Sequence, residues 1–176
     1  MRIEAAASGD LDGVLAILNH YVTTHHCTFD TEPWSVADKR PWFDGLSPDG
    51  PHRLLVARGG DGLAGYAHSG AYRPKAGYAT TVETTVYVHP AHCGNGVGEA
   101  LLSELLGGLR ACDVRRAIAI VAQPNAASNR LHEKLGYRPI GTLTDAGRKF
   151  GRYWDTRFYE YAFDKPAGRA LGSGQP

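Results

Sequence analysis

The chain has 176 residues, 43% of them hydrophobic, which suits one domain around a single core. Its 19 Lys and Arg against 18 Asp and Glu leave a net charge of +1, so bulk electrostatics favour neither a nucleic acid nor a membrane as partner. Cys27, Cys93 and Cys112 are scattered without a CxxC pair. They argue for a reducing cytosol and against a disulfide framework or a zinc site. No stretch approaches the ~20 apolar residues that cross a bilayer, and the first ten residues carry no long apolar run, so a soluble protein is expected.

In chain order the pattern is mixed α/β. Arg2 to Ala6 reads as a short strand, and Ser8 as the cap of a helix running to about Tyr21. Residues 27–52 read as irregular, with Pro33, Pro41, Pro48 and Pro51 around a short helix at Val36 to Phe43. Arg53 to Arg58 and Leu63 to Tyr72 read as strands joined by Gly59-Gly60-Asp61-Gly62, a hairpin signal. Thr81 to Val88 is rich in residues that suit a pleated strand, and Val97, Leu101, Leu102, Leu105, Leu106 and Leu109 then recur at helical spacing. Ala117 to Ala122 suits a strand buried on both faces, and Ala126 to Leu135 a helix stopped by Gly136. Tyr137 to Leu143 and Trp154 to Ala162 read as closing strands. Residues 1–163 are expected as one domain, with 164–176, polar and bearing Gly and Pro, as a flexible tail.

The chemistry starts where the Thr81–Val88 run meets the Leu-rich helix. After His89-Pro90, Gly94, Gly96 and Gly98 alternate into the helix start. Unpaired N–H groups there, with no Cβ in the way, make a site for a pyrophosphate-sized anion. A glycine turn without a ligand is the plain alternative. A dinucleotide fingerprint fails: started at Gly94 it meets Glu99 where glycine is needed, and started at Gly96 it meets Leu101. No Gly-Lys-Ser/Thr triplet occurs, which excludes a Walker-type loop.

The loop resembles the acetyl-CoA loop of the GNAT N-acetyltransferases. Their pattern, Arg/Gln-x-x-Gly-x-Gly/Ala, maps onto Cys93 through Gly98. Cys93 stands where Arg or Gln is usual, so binding is expected to rest on backbone amides. The element order β-α-(α)-ββ-β-α-β-α-ββ is also the GNAT order, over residues 2 to 162. Thr28–Pro33, Val82–Pro90, Pro124–Tyr137 and Gly147–Asp155 narrow the resemblance to the phosphinothricin and methionine sulfoximine acetyltransferases. It implies an α/β (α+β) fold with a mixed central sheet of about seven strands flanked by helices. It also implies acetyl-CoA as co-substrate, no metal, a small amino acid or analogue as acceptor, and a homodimer.

Acetyl transfer to an amine needs a neutral nitrogen, whereas an amino acid arrives mostly as ammonium, so a base must take the proton directly or through water. Strand alternation puts Thr81, Glu83, Thr85 and Tyr87 on one face and Val82, Thr84, Val86 and Val88 on the other. Glu83 is the candidate base, and the resemblance gives it that role; a solvated glutamate on an exposed face is the alternative. The resemblance further assigns a strand amide around Val86, Tyr87 and Val88 to the oxyanion and the pantetheine arm. It assigns Cys93, Gly94, Asn95, Gly96, Val97, Gly98 and Glu99 to the pyrophosphate. His132 occupies the place where many members carry tyrosine, and a histidine can donate at neutral pH, so it is the candidate general acid. A helix-surface histidine without a catalytic role is equally compatible, and Tyr137 and Tyr87 stand in reserve.

Asn125 and Asn129 are expected at the pantetheine arm, with a bare N-cap role as the alternative for Asn125; Arg130 is a further candidate for a CoA phosphate. Phe29, Arg73, Lys75 and Tyr78 are expected to line the acceptor pocket. Arg148, Lys149 and Arg152 are further cations for it, from the same chain or across a dimer interface, though each cation also reads as a solvated surface charge. Phe150 and Trp154 stand where some phosphinothricin enzymes carry histidine, which leans the pocket toward methionine sulfoximine or sulfone. Two other functions stay open: a GNAT enzyme acting on a polyamine or protein N-terminus, and a non-catalytic acyl-CoA-binding module. The near-neutral charge weighs against the first, and the presence of Glu83 and His132 against the second.

Overall fold

Seven strands form one mixed sheet in the computed structural model of the protein, which describes residues 1–60 and 62–163; the expected tail at 164–176 lies outside the described residues. The strands are β1 (Arg2–Ala5), β2 (Leu54–Gly59), β3 (Gly62–Ala71), β4 (Thr81–Val88), β5 (Arg116–Ala122), β6 (Arg138–Lys149) and β7 (Arg152–Ala162). The helices are α1 (Leu11–Thr24), α2 (Val36–Asp44), α3 (Val97–Arg110) and α4 (Ala126–Lys134). Spatial order is β1-β2-β3-β4-β5-β7-β6, and β4 with β5 is the parallel pair in an otherwise antiparallel ladder. Among the described residues no helix is long and apolar enough to cross a membrane.

Each face of the sheet carries its own core. On one face Leu101, Leu102, Leu105 and Leu109 of α3 pack on Val82, Ala117, Ala119 and Tyr159. On the other, Leu11, Val14 and Ile17 of α1 pack on Leu54, Val56 and Tyr66. Full burial of each such side chain contributes about 1.5–3 kcal/mol. β4 serves both cores as its period-two pattern predicts, with Val82, Val86 and Val88 toward α3 and Tyr87 toward α1.

Two local expectations are corrected. Ser8 does not cap α1. It lies inside a 3₁₀ turn, Ser8–Asp10, whose cap is Ala7. The Asp10 carboxylate accepts from the Ala7 N–H at 2.7 Å and is held by both terminal guanidinium nitrogens of Arg58 at 2.9 Å, so a carboxylate already fixed by a cation does the capping. The second correction concerns β6, which runs on to Lys149 rather than stopping at Leu143. Most of its residues face solvent, so no hydrophobic alternation marks the second half.

That longer hairpin reassigns Lys149. Instead of serving as a free cation it is buried, and its Nζ donates to the carbonyls of His25 and Thr28 at 2.8 Å and of Tyr21 at 3.4 Å. The ammonium thereby ties the end of α1 and the following loop to the C-terminal hairpin. Lys149→Met should leave these acceptors unpaired and cost about 1–3 kcal/mol, read as a lowered Tm with unchanged secondary structure; an unchanged Tm would contradict the anchoring role.

Candidate active site

The site begins where β4 and β5 separate. They share only three register pairs, Thr81 with Arg116, Val82 with Ala117 and Glu83 with Ile118. At the next position the Thr84 hydroxyl donates to the Ile118 carbonyl at 3.3 Å, and it lies 2.8 Å from the Tyr137 hydroxyl. Side-chain oxygens thus occupy the root of the fork where another ladder rung would otherwise form. Beyond them a cleft of about 730 Å³ opens between Thr84–Val88 and Ala119–Val121.

The glycine loop closes one end of this cleft. Pro90–His92 forms a 3₁₀ turn, and Gly94 (φ +81°) and Gly96 (φ +77°) then take left-handed conformations that side chains disfavour. Gly96 caps α3, whose first intrahelical bond runs from the Ala100 N–H to the Gly96 carbonyl. The Val97, Gly98 and Glu99 N–H groups therefore remain without backbone partners at the positive end of the helix dipole. Gly98 is needed for space: a Cβ there would lie 3.3 Å from Leu131 Cδ2 and from Val88 Cγ2. Glu99 pairs with Lys134 at 2.7 Å, which brackets the cleft between α3 and α4 and offsets a carboxylate beside an anion site.

Most of the expected cofactor residues converge here. Val86, Tyr87, Val88, Cys93, Gly94, Gly96, Val97, Gly98, Glu99 and Asn125 all line the cleft, as do His132 and Arg130. Asn95 does not line it, and neither does Asn129, whose amide is engaged with Gln123 in both directions at 2.9 and 3.0 Å. The Asn125 side chain accepts from the Ser128 N–H at 3.1 Å, so it caps α4 while standing at the cleft.

His132 is buried, and its Nδ1 lies 2.8 Å from the Ser128 carbonyl, a geometry in which Nδ1 carries the hydrogen and Nε2 the lone pair. Burial holds the ring below its ordinary 6.5, opposed by that carbonyl, so the neutral, proton-accepting form is favoured. Tyr137 is buried behind the fork with its hydroxyl on Thr84.

Glu83 does not open into this cleft. It lines a second cavity of about 440 Å³ on the α2 side of the sheet, together with Trp42, His52 and His68. Its carboxyl is half-buried; that burial raises its pKa above the ordinary 4.5, and the Arg73 guanidinium opposes the rise. Arg73 is exposed, over the ring of Tyr72, and Lys75 and Tyr78 lie on the surface of the same connection. The Phe29 ring packs against Gly147 of β6, in the space a Cβ there would fill. Arg152 and Arg148 lie over the rings of Trp154 and Tyr153 at the hairpin tip. Among the expected acceptor-side residues Arg73 acts electrostatically on Glu83.

Sequence reasoning missed Tyr21. Its hydroxyl donates to the Val88 carbonyl at 2.7 Å and lies 3.6 Å from the Cys93 sulfur, which fixes the end of β4 and the loop against α1. The available signal was an aromatic with a polar tip at helical spacing from Ile17 and Leu18.

A forked parallel pair with a glycine-capped helix at its mouth suits an extended ligand with an anionic segment, and comparison with known proteins identifies the class. The model of the acetyltransferase (GNAT) family matches residues 16–137. The chain belongs to the GNAT acetyltransferases. The GNAT protein is similar to a phosphinothricin N-acetyltransferase of Streptomyces coelicolor, 46% identical over 91% of this chain and 95% of that protein. It is also similar to an L-methionine sulfoximine/L-methionine sulfone acetyltransferase of Pseudomonas paraeruginosa, 35% identical over 92% and 94%. An acetyltransferase of Salmonella typhimurium, solved with its cofactor acetyl-CoA, superposes with a TM-score of 0.91 at 33% identity over 97% of this chain and 98% of that one. This GNAT enzyme is therefore an acetyl-CoA-dependent N-acetyltransferase, and its cleft and free α3 amides fit a pantetheine arm and a pyrophosphate.

Two outcomes follow for the cleft. Gly96→Val should raise the KM for acetyl-CoA about tenfold or more, because a β-branched residue strains the left-handed cap; an unchanged KM would remove the cap from the binding site. Alkylation confirmed at the exposed Cys93 should likewise weaken acetyl-CoA, and an unchanged KM after it would show that the loop tolerates bulk at this position.

Proposed function

We propose that the enzyme acetylates the α-amino group of a small amino acid or an analogue of the phosphinothricin or methionine sulfoximine/sulfone type, with Glu83 as general base. The observation that carries this reading is the position of Glu83. Among the described residues it is the one carboxylate lining the second cavity, adjoining the fork and five residues, about 16 Å of strand, before the end of β4. The two relatives named for such acceptors, each aligned over more than nine-tenths of this chain, support the acceptor class.

Bound acetyl-CoA supplies the activated acetyl group. The chain's own residues then do the rest. The α3 amides hold the anionic end, and unpaired backbone groups of β4 beyond Glu83 align the arm and stabilise developing negative charge on oxygen. Glu83 takes the ammonium proton through water, since its carboxylate lies on the far side of the strand from the Thr84 face. His132, neutral at rest, accepts through Nε2 the second proton, which leaves the nitrogen of the tetrahedral adduct as the amide forms, and returns it to the departing thiolate; His132→Asn with an unchanged kcat would take it out of that role. Arg73 at the rim offers a cation to the acceptor carboxylate.

Two further readings accompany this one. The exposed apolar residues Ile140, Leu143, Phe150 and Tyr153 of the β6–β7 hairpin support a homodimer, and a monomer by analytical ultracentrifugation would exclude it. Cys27, Cys93 and Cys112, scattered without a CxxC pair, support a reducing, cytoplasmic location, which fractionation of the source cells checks.

Glu83→Gln should lower kcat by about 10²-fold or more with acetyl-CoA binding retained, and a kcat within about threefold of wild type would remove the base role. Because only the carboxylate accepts a proton, kcat/KM should fall as pH drops through the raised Glu83 pKa, giving an acid limb above 4.5 that Glu83→Gln abolishes. CoA thiol release measured across a panel of amino acids, polyamines and peptides tests the acceptor class. Turnover confined to polyamines or peptide N-termini would contradict it.

A further inference from the structure

The second cavity contains a group that the chemistry above does not use. His68 stands on β3 opposite Thr85, and Gly70 stands opposite Glu83, so His68 and Glu83 are diagonal neighbours on one face of the β3–β4 pair. Gly70 places no side chain between them, and its Cβ position is open space. The His68 ring meets Trp42 of α2 edge-on, with centroids 5.4 Å apart at 79°. Its Nδ1 is buried and has no hydrogen-bond partner among the described residues. A buried polar atom left so in a cavity wall calls for a partner.

The lining also selects by charge. Among the described residues no Lys or Arg lines the cavity; Lys39 lies instead over the rings of Trp34 and Trp42, 3.9 and 5.6 Å from their centroids. Burial, with Lys39 adding to it, pushes His68 down to about 4, so its ring is neutral at physiological pH. A second anion placed there would meet the Glu83 carboxylate with no Lys or Arg in the described lining to offset it, since Arg73 already acts on Glu83 and Lys39 sits over the rings of Trp34 and Trp42. A neutral side chain with an apolar stem and a hydrogen-bonding head fits better, stem against Trp42 and head toward His68. A volume of about 440 Å³ lies within the ~300–1,000 Å³ range of small-molecule sites.

We propose that His68 is an acceptor-binding residue which, with Trp42, selects amino acids whose side chains end in an uncharged hydrogen-bonding group. This rests on the amino-acid acceptor reading and narrows it. It places methionine sulfone ahead of both methionine, which lacks the oxygens, and phosphinothricin, which carries a second anion.

The test compares L-methionine sulfone, L-methionine and phosphinothricin, with binding read by calorimetry and turnover by thiol release. Wild type should bind the sulfone most tightly of the three. His68→Phe should weaken the sulfone about tenfold, in KM and Kd rather than kcat, with methionine and acetyl-CoA unaffected. His68→Gln, which keeps a donor, should recover part of the loss. Equal weakening of sulfone and methionine would reduce His68 to a packing role and overturn the proposal. So would tighter binding of phosphinothricin than of sulfone by wild type, a comparison that needs no variant to fold. Sulfone binding that depends on His68 but gives no turnover would support this subsite and instead defeat the acetylation of such amino acids.

Discussion

Everything the enzyme does hangs on two parallel strands that stay together for three residues and then part. Had β4 and β5 continued in register, their backbone groups would satisfy one another and the sheet would be closed. The divergence is held at its root by side chains: the Thr84 hydroxyl reaches the Ile118 carbonyl, and Tyr137 stands behind Thr84. β5 keeps its other edge fully paired to β7 from Arg116 to Ala122, so the opening does not unravel the sheet. The result is a cleft walled by backbone, rigid because each wall belongs to a continuous ladder, with the α3 N-terminus at its mouth.

From that opening the division of labour between the two faces follows. Residues beyond Glu83 and the glycine loop line the fork, with the unpaired α3 amides at its mouth placed to receive an anion. The face toward α2 keeps a carboxylate, two imidazoles and an indole in a separate cavity. A strand with period-two alternation is what allows one segment, Thr81–Val88, to serve both. Tyr21 and Lys149 brace the arrangement from outside, the first by holding the end of β4 and the second by tying the hairpin to the end of α1.

Most of the fold was legible in the sequence because its elements obey strong local rules. β4 and α3 declared themselves by β-branched content and by leucines at helical spacing, and Gly136 ended α4 with φ +90° as a C-terminal glycine should. The second half of β6 was not legible: a solvent-facing strand with few apolar residues has no periodic signal. The glycine loop at the cleft was legible because the need for positive φ and for close approach leaves glycines in the chain. The rest of the site depends on pairings far apart in sequence. Which strand leaves its partner after Glu83, that Asn129 bonds Gln123, that Lys149 is enclosed by carbonyls, and that His68 shares a cavity with Glu83 are all matters of register and packing. A single residue's identity does not encode them.

The central claim is that the two cavities hold the two halves of one reaction, with acetyl-CoA in the fork and the acceptor amine on the Glu83 side. A crystal structure of the enzyme with CoA and L-methionine sulfone tests this most directly. The pyrophosphate should lie on the Val97, Gly98 and Glu99 amides, and the acceptor nitrogen should lie within about 3 Å of the Glu83 carboxylate or be joined to it by one ordered water. An acceptor seated along α4 with no such link to Glu83, or CoA bound outside the β4–β5 fork, would contradict it.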